Sequence, residues 1–381
     1  EIILVFLYHF YSPVKFTGKA HMKYVKVLMN ERENSMKKAF ALILALTMTL
    51  SLAACGGKTS DTSASGDSST SGDASASGET KVLRLSTHLS ADHSTMQMAQ
   101  KFEELLKEKT NGSLDVEFYT DGQLGGQTEN CESMKSGSVD MSIIDTGTLA
   151  NYNAAAGILD MPYLFTSKDQ AIAAVSGDVG KQYMDMVTST TGIRPISLQA
   201  VAFRSTLLKD KTINTLDDFK GVKVRIPENP SIEACFSALG ATPVAIPSGE
   251  AYTAVQTGVT DGLEGNMEYI AQMKFYEVAN VYNLTEHVMT FTAFCMSDSV
   301  YQSLTADQQA AIDEAAAEAM DYFYELYEGI EANAKDAMTE AGVTFNEVDK
   351  TAMVEACAPA LEKFVSDNNL QDMYDAIQAL A

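Results

Sequence analysis

The sequence predicts an α/β protein made of two lobes of similar construction, and three observations support this fold class. The order strand, helix, strand recurs along the chain, which is typical of parallel sheets covered by helices. Segments 134–145 and 255–266 share one pattern, in which a helix ends at a glycine and a short strand follows an aspartate. The length of 381 residues also exceeds what one hydrophobic core usually supports.

The elements follow one another in a regular order. The first lobe is predicted to begin with an alternating strand at 83–88 and a helix that starts at a capping-box pattern, STMQ (94–97), and ends at the Asn-Gly pair 111–112. The order then continues with strand 116–119, helix 128–136 and strand 139–144. It repeats later as strand 222–226, helix 230–239, strand 242–246 and helix 249–257.

The last third of the chain is predicted to be helical. From residue 305 to about 342, apolar side chains recur at intervals of one, three and four positions. This pattern fits one helix that runs across both lobes. It fits equally two ordinary helices with a break near Glu328 and Gly329.

Polar residues at the strand ends indicate where a ligand would bind. Ligands of open parallel sheets lie beyond the carboxyl ends of the strands, and His88, Asp145, Arg225 and Asn266 all fall at predicted strand ends. Asp145 and Asn266 occupy matching places in the two similar segments, although two common helix–glycine–strand transitions would also match by coincidence. Aspartate and asparagine are also frequent turn formers, which is the simpler explanation for these two residues.

Arg225 is the strongest candidate for binding an anionic ligand. It lies near the end of the alternating strand in GVKVRIPENP (221–230), just before a predicted helix. A guanidinium keeps its charge and matches a carboxylate through two parallel hydrogen bonds. Arg204 in VAFRSTL (201–207) also follows a short apolar strand and is a second candidate. For both arginines the alternative is a structural ion pair.

The charge distribution excludes a nucleic-acid-binding function. The formal net charge is −24. Residues 1–54 carry seven Lys or Arg and three acidic residues, which leaves 20 basic and 48 acidic residues, a net charge of −28, for the rest of the chain. Such a surface repels both nucleic acid and anionic lipid.

The amino-terminal region has the pattern of an exported lipoprotein. Residues 36–54 combine a positive start with an apolar run, and the sequence LAAC that ends at Cys55 resembles a bacterial lipobox, which implies that Cys55 is lipidated. A plain signal peptide or a short membrane helix is the alternative, but the mostly apolar run of 14 residues at 39–52 is too short to span a bilayer. We interpret residues 1–35 as an untranslated leader or non-native extension and residues 55–80 as a flexible tether.

Neither a cofactor nor a metal site nor an enzymatic activity is predicted. His88 and His93 have only Asp92 as a further donor nearby, and none of the motifs G-x-S-x-G, G-x-x-x-x-G-K and H-E-x-x-H occurs. Four cysteines in the body of the chain are widely spaced, so that either disulfides or free thiols are consistent with the pattern. They are Cys131, Cys235, Cys295 and Cys357.

Several ordered motifs occur in the body of the chain. They are GQLGGQTENCESMKSGSVDM (122–141), MPYLF (161–165), GVKVRIPENPSIEACFSALGATPVAIPSGEAYTAVQTGVTDGLEGN (221–266) and KFYEVANVYNLTEH (274–287). Together these motifs resemble the solute-binding proteins of TRAP transporters, the tripartite ATP-independent periplasmic transporters, of the C4-dicarboxylate-binding DctP family. The resemblance covers about residue 81 to the end of the chain.

The resemblance implies a periplasmic-binding-protein-like fold of class II type, with a hinge, strands that cross between the lobes and a long helix that spans both. Lobe I would comprise 81–201 and 292–330, and lobe II 202–291 and 331–381. The implied function is to capture an organic acid at the outer face of the cytoplasmic membrane and deliver it to the small and large TRAP membrane subunits for sodium-coupled uptake. A sensor that presents its ligand to a membrane kinase and a secreted enzyme are the alternatives.

The resemblance also implies roles for single residues. Arg225 stands at the position of the carboxylate-binding arginine, Arg204 at that of a second ligand-facing arginine and Asn266 at that of the binding-site asparagine. Asp145 and His88 fall at cleft positions.

Two departures from the family pattern concern the pocket. Ser248 replaces a common aromatic residue, and Gly265-Asn266-Met267 replaces the common E-N-P. We therefore expect a roomier or more polar pocket that accepts a sugar acid or a keto acid.

Overall fold

A computed structural model describes residues 80–381, and within them nine strands form one mixed sheet. The strands are β1 (Lys81–Ser86), β2 (Leu114–Tyr119), β3 (Met141–Asp145), β4 (Ile193–Leu208), β5 (Lys223–Ile226), β6 (Thr242–Ala245), β7 (Gly262–Gly265), β8 (Val281–Ser297) and β9 (Thr344–Glu347). Their order in the sheet is β2-β1-β3-β8-β4-β7-β5-β6, and β9 pairs with β8. The predicted leader, the signal peptide, Cys55 and nearly all of the tether lie outside the described residues.

Two long strands connect two groups of parallel strands. The group β2-β1-β3 pairs with the second half of β8, and the group β6-β5-β7 pairs with the second half of β4. β4 and β8 are 16 and 17 residues long and run antiparallel to each other, so each long strand contributes one half to each group. We call the β1–β3 side the first lobe and the β5–β7 side the second. The predicted two-lobe α/β fold with cross-lobe strands is confirmed.

Helices cover the sheet. They are α1 (Ser94–Lys109), α2 (Gln127–Ser136), α3 (Thr146–Leu149), α4 (Lys168–Ser176), α5 (Asp178–Thr191), α6 (Pro230–Ala238), α7 (Ser248–Thr257), α8 (Met267–Gln272), α9 (Asp298–Gln302), α10 (Ala306–Glu340), α11 (Thr351–Asp367) and α12 (Gln371–Gln378). Short 3₁₀ helices occur at Ala154–Asp160, Leu216–Phe219 and Phe275–Glu277. No helix within residues 80–381 is both long and apolar enough to cross a membrane.

The two similar segments adopt the same local structure, as the sequence predicts. Gly137 ends α2 and Gly258 ends α7, each with a left-handed backbone (φ 74° and 78°) that a glycine adopts without strain. A short strand follows each glycine, and the strands lead to Asp145 and Asn266. Both residues stand at the amino-terminal cap of a short helix, α3 and α8.

The capping box predicted for α1 is wrong. His93 is the cap residue, and its Nδ1 accepts a hydrogen bond of 3.1 Å from the backbone N–H of Thr95. Ser94 lies inside the helix, where its backbone N–H and its hydroxyl bind the carboxylate of Glu268 on α8 at 3.2 and 2.9 Å. The serine is therefore used in a contact between the two lobes, which a local pattern does not reveal.

α10 is a single continuous helix of 35 residues, so the alternative with a break near Gly329 is wrong. It begins with a capping box between Thr305 and Gln308. The helix packs against α1 of the first lobe and α8 of the second, and the Tyr324 hydroxyl accepts a hydrogen bond of 3.2 Å from the Ala200 backbone on β4. It therefore spans both lobes, as the resemblance implied.

The hydrophobic core consists of separate clusters in the two lobes. The carboxyl-terminal helices contribute to both: Met353 and Cys357 of α11 pack with residues of the second lobe, whereas Val365 and Ile377 pack with residues of the first. The four cysteines of the body are buried free thiols. The residue boundaries given above for the two lobes stay a prediction.

Candidate functional site

The predicted site residues gather where the two lobes face each other. His88 lies two residues beyond β1 and Asp145 ends β3, whereas Arg225 and Asn266 lie at the ends of β5 and β7 in the second lobe. Asp145 acts electrostatically on both His88 and Arg204, which shows that residues of both lobes are near one another. Strand ends of both lobes therefore come close to one another here, as a cleft between the lobes would require.

Arg225 is buried inside the protein. Its residue surface is 2% exposed, and it contributes one of the largest fully buried side chains among the described residues. Nε donates a hydrogen bond of 2.8 Å to the Ile246 carbonyl, and Nη1 donates one of 3.4 Å to the Tyr269 hydroxyl. No carboxylate in residues 80–381 pairs with it. Among residues 80–381 the charge of this buried guanidinium is therefore uncompensated, which is energetically costly.

Two hydroxyl groups support Arg225. Tyr269 OH lies 3.4 Å from Arg225 Nη1 and 2.7 Å from Ser248 Oγ. Ser248, which departs from the family pattern, therefore supports the tyrosine that contacts the guanidinium. The sequence reasoning missed Tyr269, although its position one helical turn after Asn266 points to the same face of α8.

Arg204 forms a structural ion pair in addition to facing the site. Its Nε and Nη2 donate to the two oxygens of Glu264 at 2.6 Å each, and Glu264 Oε2 lies 3.3 Å from His287 Nε2. Burial opposes the charge of Glu264, but Arg204 and the His287 hydrogen bond outweigh it and lower the pKa of this carboxyl to about 2. Arg204 stays 13% exposed at its side chain, and Nε and Nη2 are the nitrogens that bind Glu264.

Asp145 and His88 lie near each other in the first lobe. Asp145 Oδ2 accepts a hydrogen bond of 2.9 Å from Gln127 Nε2, and the backbone N–H of Asp145 donates one of 2.6 Å to Gln127 Oε1. Burial lowers the pKa of His88, and Asp145 opposes this shift. Within the described chain His88 Nδ1 is buried without a hydrogen-bond partner, which is uncommon for a buried polar atom.

Asn266 has a local structural role as well as its place in the cleft. Its Oδ1 accepts a hydrogen bond of 2.9 Å from the Tyr269 backbone and so caps α8. Its Nδ2 makes only a long contact of 3.4 Å to Thr290 Oγ1. The turn-forming role and a ligand contact through Nδ2 are thus compatible in one side chain. Among residues 80–381, no three His, Cys, Asp or Glu lie together as a metal site would need.

Comparison with known proteins decides the family. The sequence model for the DctP family, described as bacterial extracellular solute-binding protein, family 7, matches residues 85–368. The chain belongs to the DctP family. It is therefore a solute-binding protein of the TRAP-transporter type, an extracytoplasmic and non-enzymatic component of a transport system.

Relatives and solved structures cover most of this DctP-family chain. A solute-binding protein of Sulfitobacter sp. strain NAS-14.1 is 32% identical over 301 residues, which cover 78% of this chain and 91% of that protein. The crystal structure of a TRAP periplasmic solute-binding protein from Sulfitobacter sp. NAS-14.1 with bound β-D-galacturonate has a TM-score of 0.75 and 27% identity, and covers 78% of this chain and 100% of its own. The corresponding protein from Chromohalobacter salexigens with bound D-glucuronate has a TM-score of 0.76, 28% identity and coverages of 78% and 100%.

Asp160 is a further buried carboxyl beside the DctP-family cleft, and the sequence reasoning missed it. Asp160 Oδ2 accepts a hydrogen bond of 2.7 Å from the Thr146 hydroxyl, and Asp160 Oδ1 accepts one of 3.2 Å from Asn229 Nδ2. Complete burial raises its pKa to about 7. The Thr146 hydrogen bond opposes this rise, Asp145 adds to it, and Asn229 and Arg204 oppose it. Nothing in the motif MPYLF that follows it marks this aspartate as special.

Asp160→Asn is expected to change the pH dependence of folding. The folded-state pKa of about 7 lies above the ordinary 3.8, so the folded protein binds the extra proton and wild-type stability decreases as the pH rises from 3.8 to 7. The variant lacks this loss, and its stability relative to wild type should rise by at most about 1.4 kcal/mol per pH unit in that window. Urea unfolding at several pH values measures this difference, and parallel pH profiles would contradict the assignment.

Proposed function

We propose that this chain captures a hexuronate, a six-carbon sugar acid, in the cleft between its lobes, with Arg225 binding the carboxylate. The observation that carries the proposal is a buried guanidinium without a carboxylate partner among the described residues, supported by Tyr269. A bidentate pair with a carboxylate would satisfy its free N–H groups and its charge together. The bound galacturonate and glucuronate of the similar structures support this substrate class.

The other predicted residues have roles that suit the hydroxyl groups of such a solute. Arg204 offers Nη1 to a second acceptor, and Asn266 offers Nδ2. Asp145 accepts hydrogen bonds from hydroxyls, and His88 offers its unpartnered Nδ1. Ser248 in place of an aromatic residue leaves room that a small dicarboxylate does not need.

The proposal extends to transport and to the position in the cell. The loaded protein delivers its solute to the small and large TRAP membrane subunits, which take it up together with sodium. The lipobox-like sequence that ends at Cys55 supports a lipid anchor at the outer face of the cytoplasmic membrane, with residues 55–80 as the tether.

A thermal-shift screen tests the substrate class. At a concentration of about 100 times its dissociation constant, a true ligand should stabilise the folded protein by about 2.7 kcal/mol. D-galacturonate and D-glucuronate are expected to do so, whereas D-galactose and D-glucose, which lack only the carboxylate, are the matched controls and should not. Stabilisation by succinate or malate without any effect of the hexuronates would contradict the proposal.

A further inference from the structure

We propose that Asn229 and Asp160 are positioning residues of the solute site, and that their hydrogen bond between the lobes holds the cleft closed around the bound solute. Asn229 belongs to the second lobe, in the loop between β5 and α6, and Asp160 belongs to the first lobe, at the end of a 3₁₀ helix. The inference rests on the proposed function, because a closed cleft matters only if a solute is held there.

The two polar atoms of the Asn229 side chain make contacts in different lobes. Oδ1 accepts hydrogen bonds from the backbone N–H groups of Ser231 and Ile232 at 2.9 and 3.2 Å and caps α6. Nδ2 points the other way and donates a hydrogen bond of 3.2 Å to Asp160 Oδ1. The cap fixes the orientation of the amide within the second lobe. The amide therefore contacts the first lobe in a fixed orientation.

The first lobe has a notch that accepts this amide. A Cβ on Gly147 would lie 2.0 Å from Asn229 Nδ2 and 2.8 Å from its Cγ, distances that no real side chain tolerates. Only glycine at this position allows Asn229 to reach Asp160. The Ser231 hydroxyl makes a second contact of 3.3 Å to the Gly157 carbonyl beside the notch. The fit between the two surfaces is thus specific to this arrangement of the lobes.

The bridge is close in sequence to the proposed solute contacts. Asn229 follows Arg225 by four residues, and Gly147 follows Asp145 by two. A solute held by Arg225 on one side and by Asp145 on the other draws these two loops together. Ligand binding and formation of the bridge then favour the same closed state, and each stabilises the other.

Variants of Asn229 test the bridge through binding kinetics. Asn229→Ser keeps an oxygen that caps α6 but is too short to reach Asp160, so the affinity for D-galacturonate should fall about tenfold, the loss of about one hydrogen bond. Because the bridge forms only after closure, the dissociation rate should rise and the association rate should stay unchanged. Stopped-flow tyrosine fluorescence separates the two rates. An unchanged dissociation rate would overturn the proposal.

The control is Asn346→Ser, which removes an asparagine of the second lobe that binds the Ile213 carbonyl at 2.8 Å and Asn283 Oδ1 at 3.0 Å. It lowers stability without contact to the first lobe, and should leave both rates unchanged. An equal rise in the dissociation rate of this control would show that loss of stability alone explains the effect.

A steric rescue tests the notch. Gly147→Ala should weaken hexuronate binding because its methyl group overlaps the Asn229 amide. The double variant Gly147→Ala with Asn229→Ala removes this overlap, so its affinity should lie within about twofold of that of Asn229→Ala alone. Additive losses would show that Gly147 acts in another way and would overturn the bridge.

The proposed function can fail separately from the bridge. If wild type binds no hexuronate, the substrate class is wrong, and small-angle X-ray scattering with succinate or malate, whichever stabilises wild type in the thermal-shift assay, then tests the bridge. That acid should lower the radius of gyration of wild type but not of Gly147→Ala, because the added methyl group keeps the lobes from closing. An equal decrease in both proteins would overturn the bridge.

Discussion

Arg225→Ala is expected to lower the affinity for a hexuronate by at least about 100-fold while the protein remains folded. Each charged hydrogen bond contributes about 1.5–3 kcal/mol, so the loss of a bidentate pair corresponds to two or more powers of ten. Arg225→Lys keeps the charge but not the planar fork, and should lose about tenfold. Isothermal titration calorimetry measures both, and circular dichroism confirms that the variants are folded.

Arg194→Ala is the matched control for this prediction. Arg194 also lies in a strand, but it pairs with Asp298 at 2.7 Å and stacks on Tyr301, within the first lobe and away from the cleft. Its removal should leave the affinity unchanged. Hexuronate binding by Arg225→Ala with wild-type affinity would eliminate the proposed carboxylate contact.

The ends of the strands could be predicted because they depend on patterns within a few neighbouring residues. Alternating apolar residues and the glycine ends of helices are local features, and they placed Asp145, Arg225 and Asn266 at the strand ends where the structure has them. Parallel strands carry their carboxyl ends to one edge within each lobe, so the places of these residues at strand ends were predictable. Their meeting across the lobes depends on β4 and β8, which turn the two groups of strands toward each other.

The long cross-lobe strands were not visible in the alternation itself. The pairing of β4 with β8 shifts register between Pro195 and Ser197 and again between Ala200 and Phe203. Each irregularity turns the following side chains to the other face of the sheet, so the period of two is interrupted. The pattern therefore indicated only short segments, and the crossing strands came from the family resemblance.

The charged partners inside the site could not be predicted, because they depend on which residues the fold brings together. Glu264 is fully buried and is explained only by Arg204 from β4 and His287 from β8. Asp160 is explained only by Thr146 and Asn229. A buried carboxyl of this kind looks in the sequence like any surface acid.

Glu264→Ala is expected to cause the largest loss of stability, about 3–5 kcal/mol, because it leaves Arg204 buried without its partner. The pH dependence tests the same pair. The folded-state pKa of about 2 lies below the ordinary 4.5, so the charged carboxyl stabilises the fold above pH 4.5, and this contribution disappears as the pH falls toward 2. Urea unfolding of wild type should show this loss, and the variant should lack it.

A double variant separates the ion pair from general damage to the core. Arg204→Met combined with Glu264→Leu removes both charges and fills a similar volume, so it should cost less than Glu264→Ala alone, because no charge remains buried without a partner. His287 then keeps its hydrogen bond of 2.9 Å to Thr285 and stays neutral, since burial lowers its pKa. A double variant at least as unstable as Glu264→Ala would show that packing rather than charge compensation determines the stability of this part of the site.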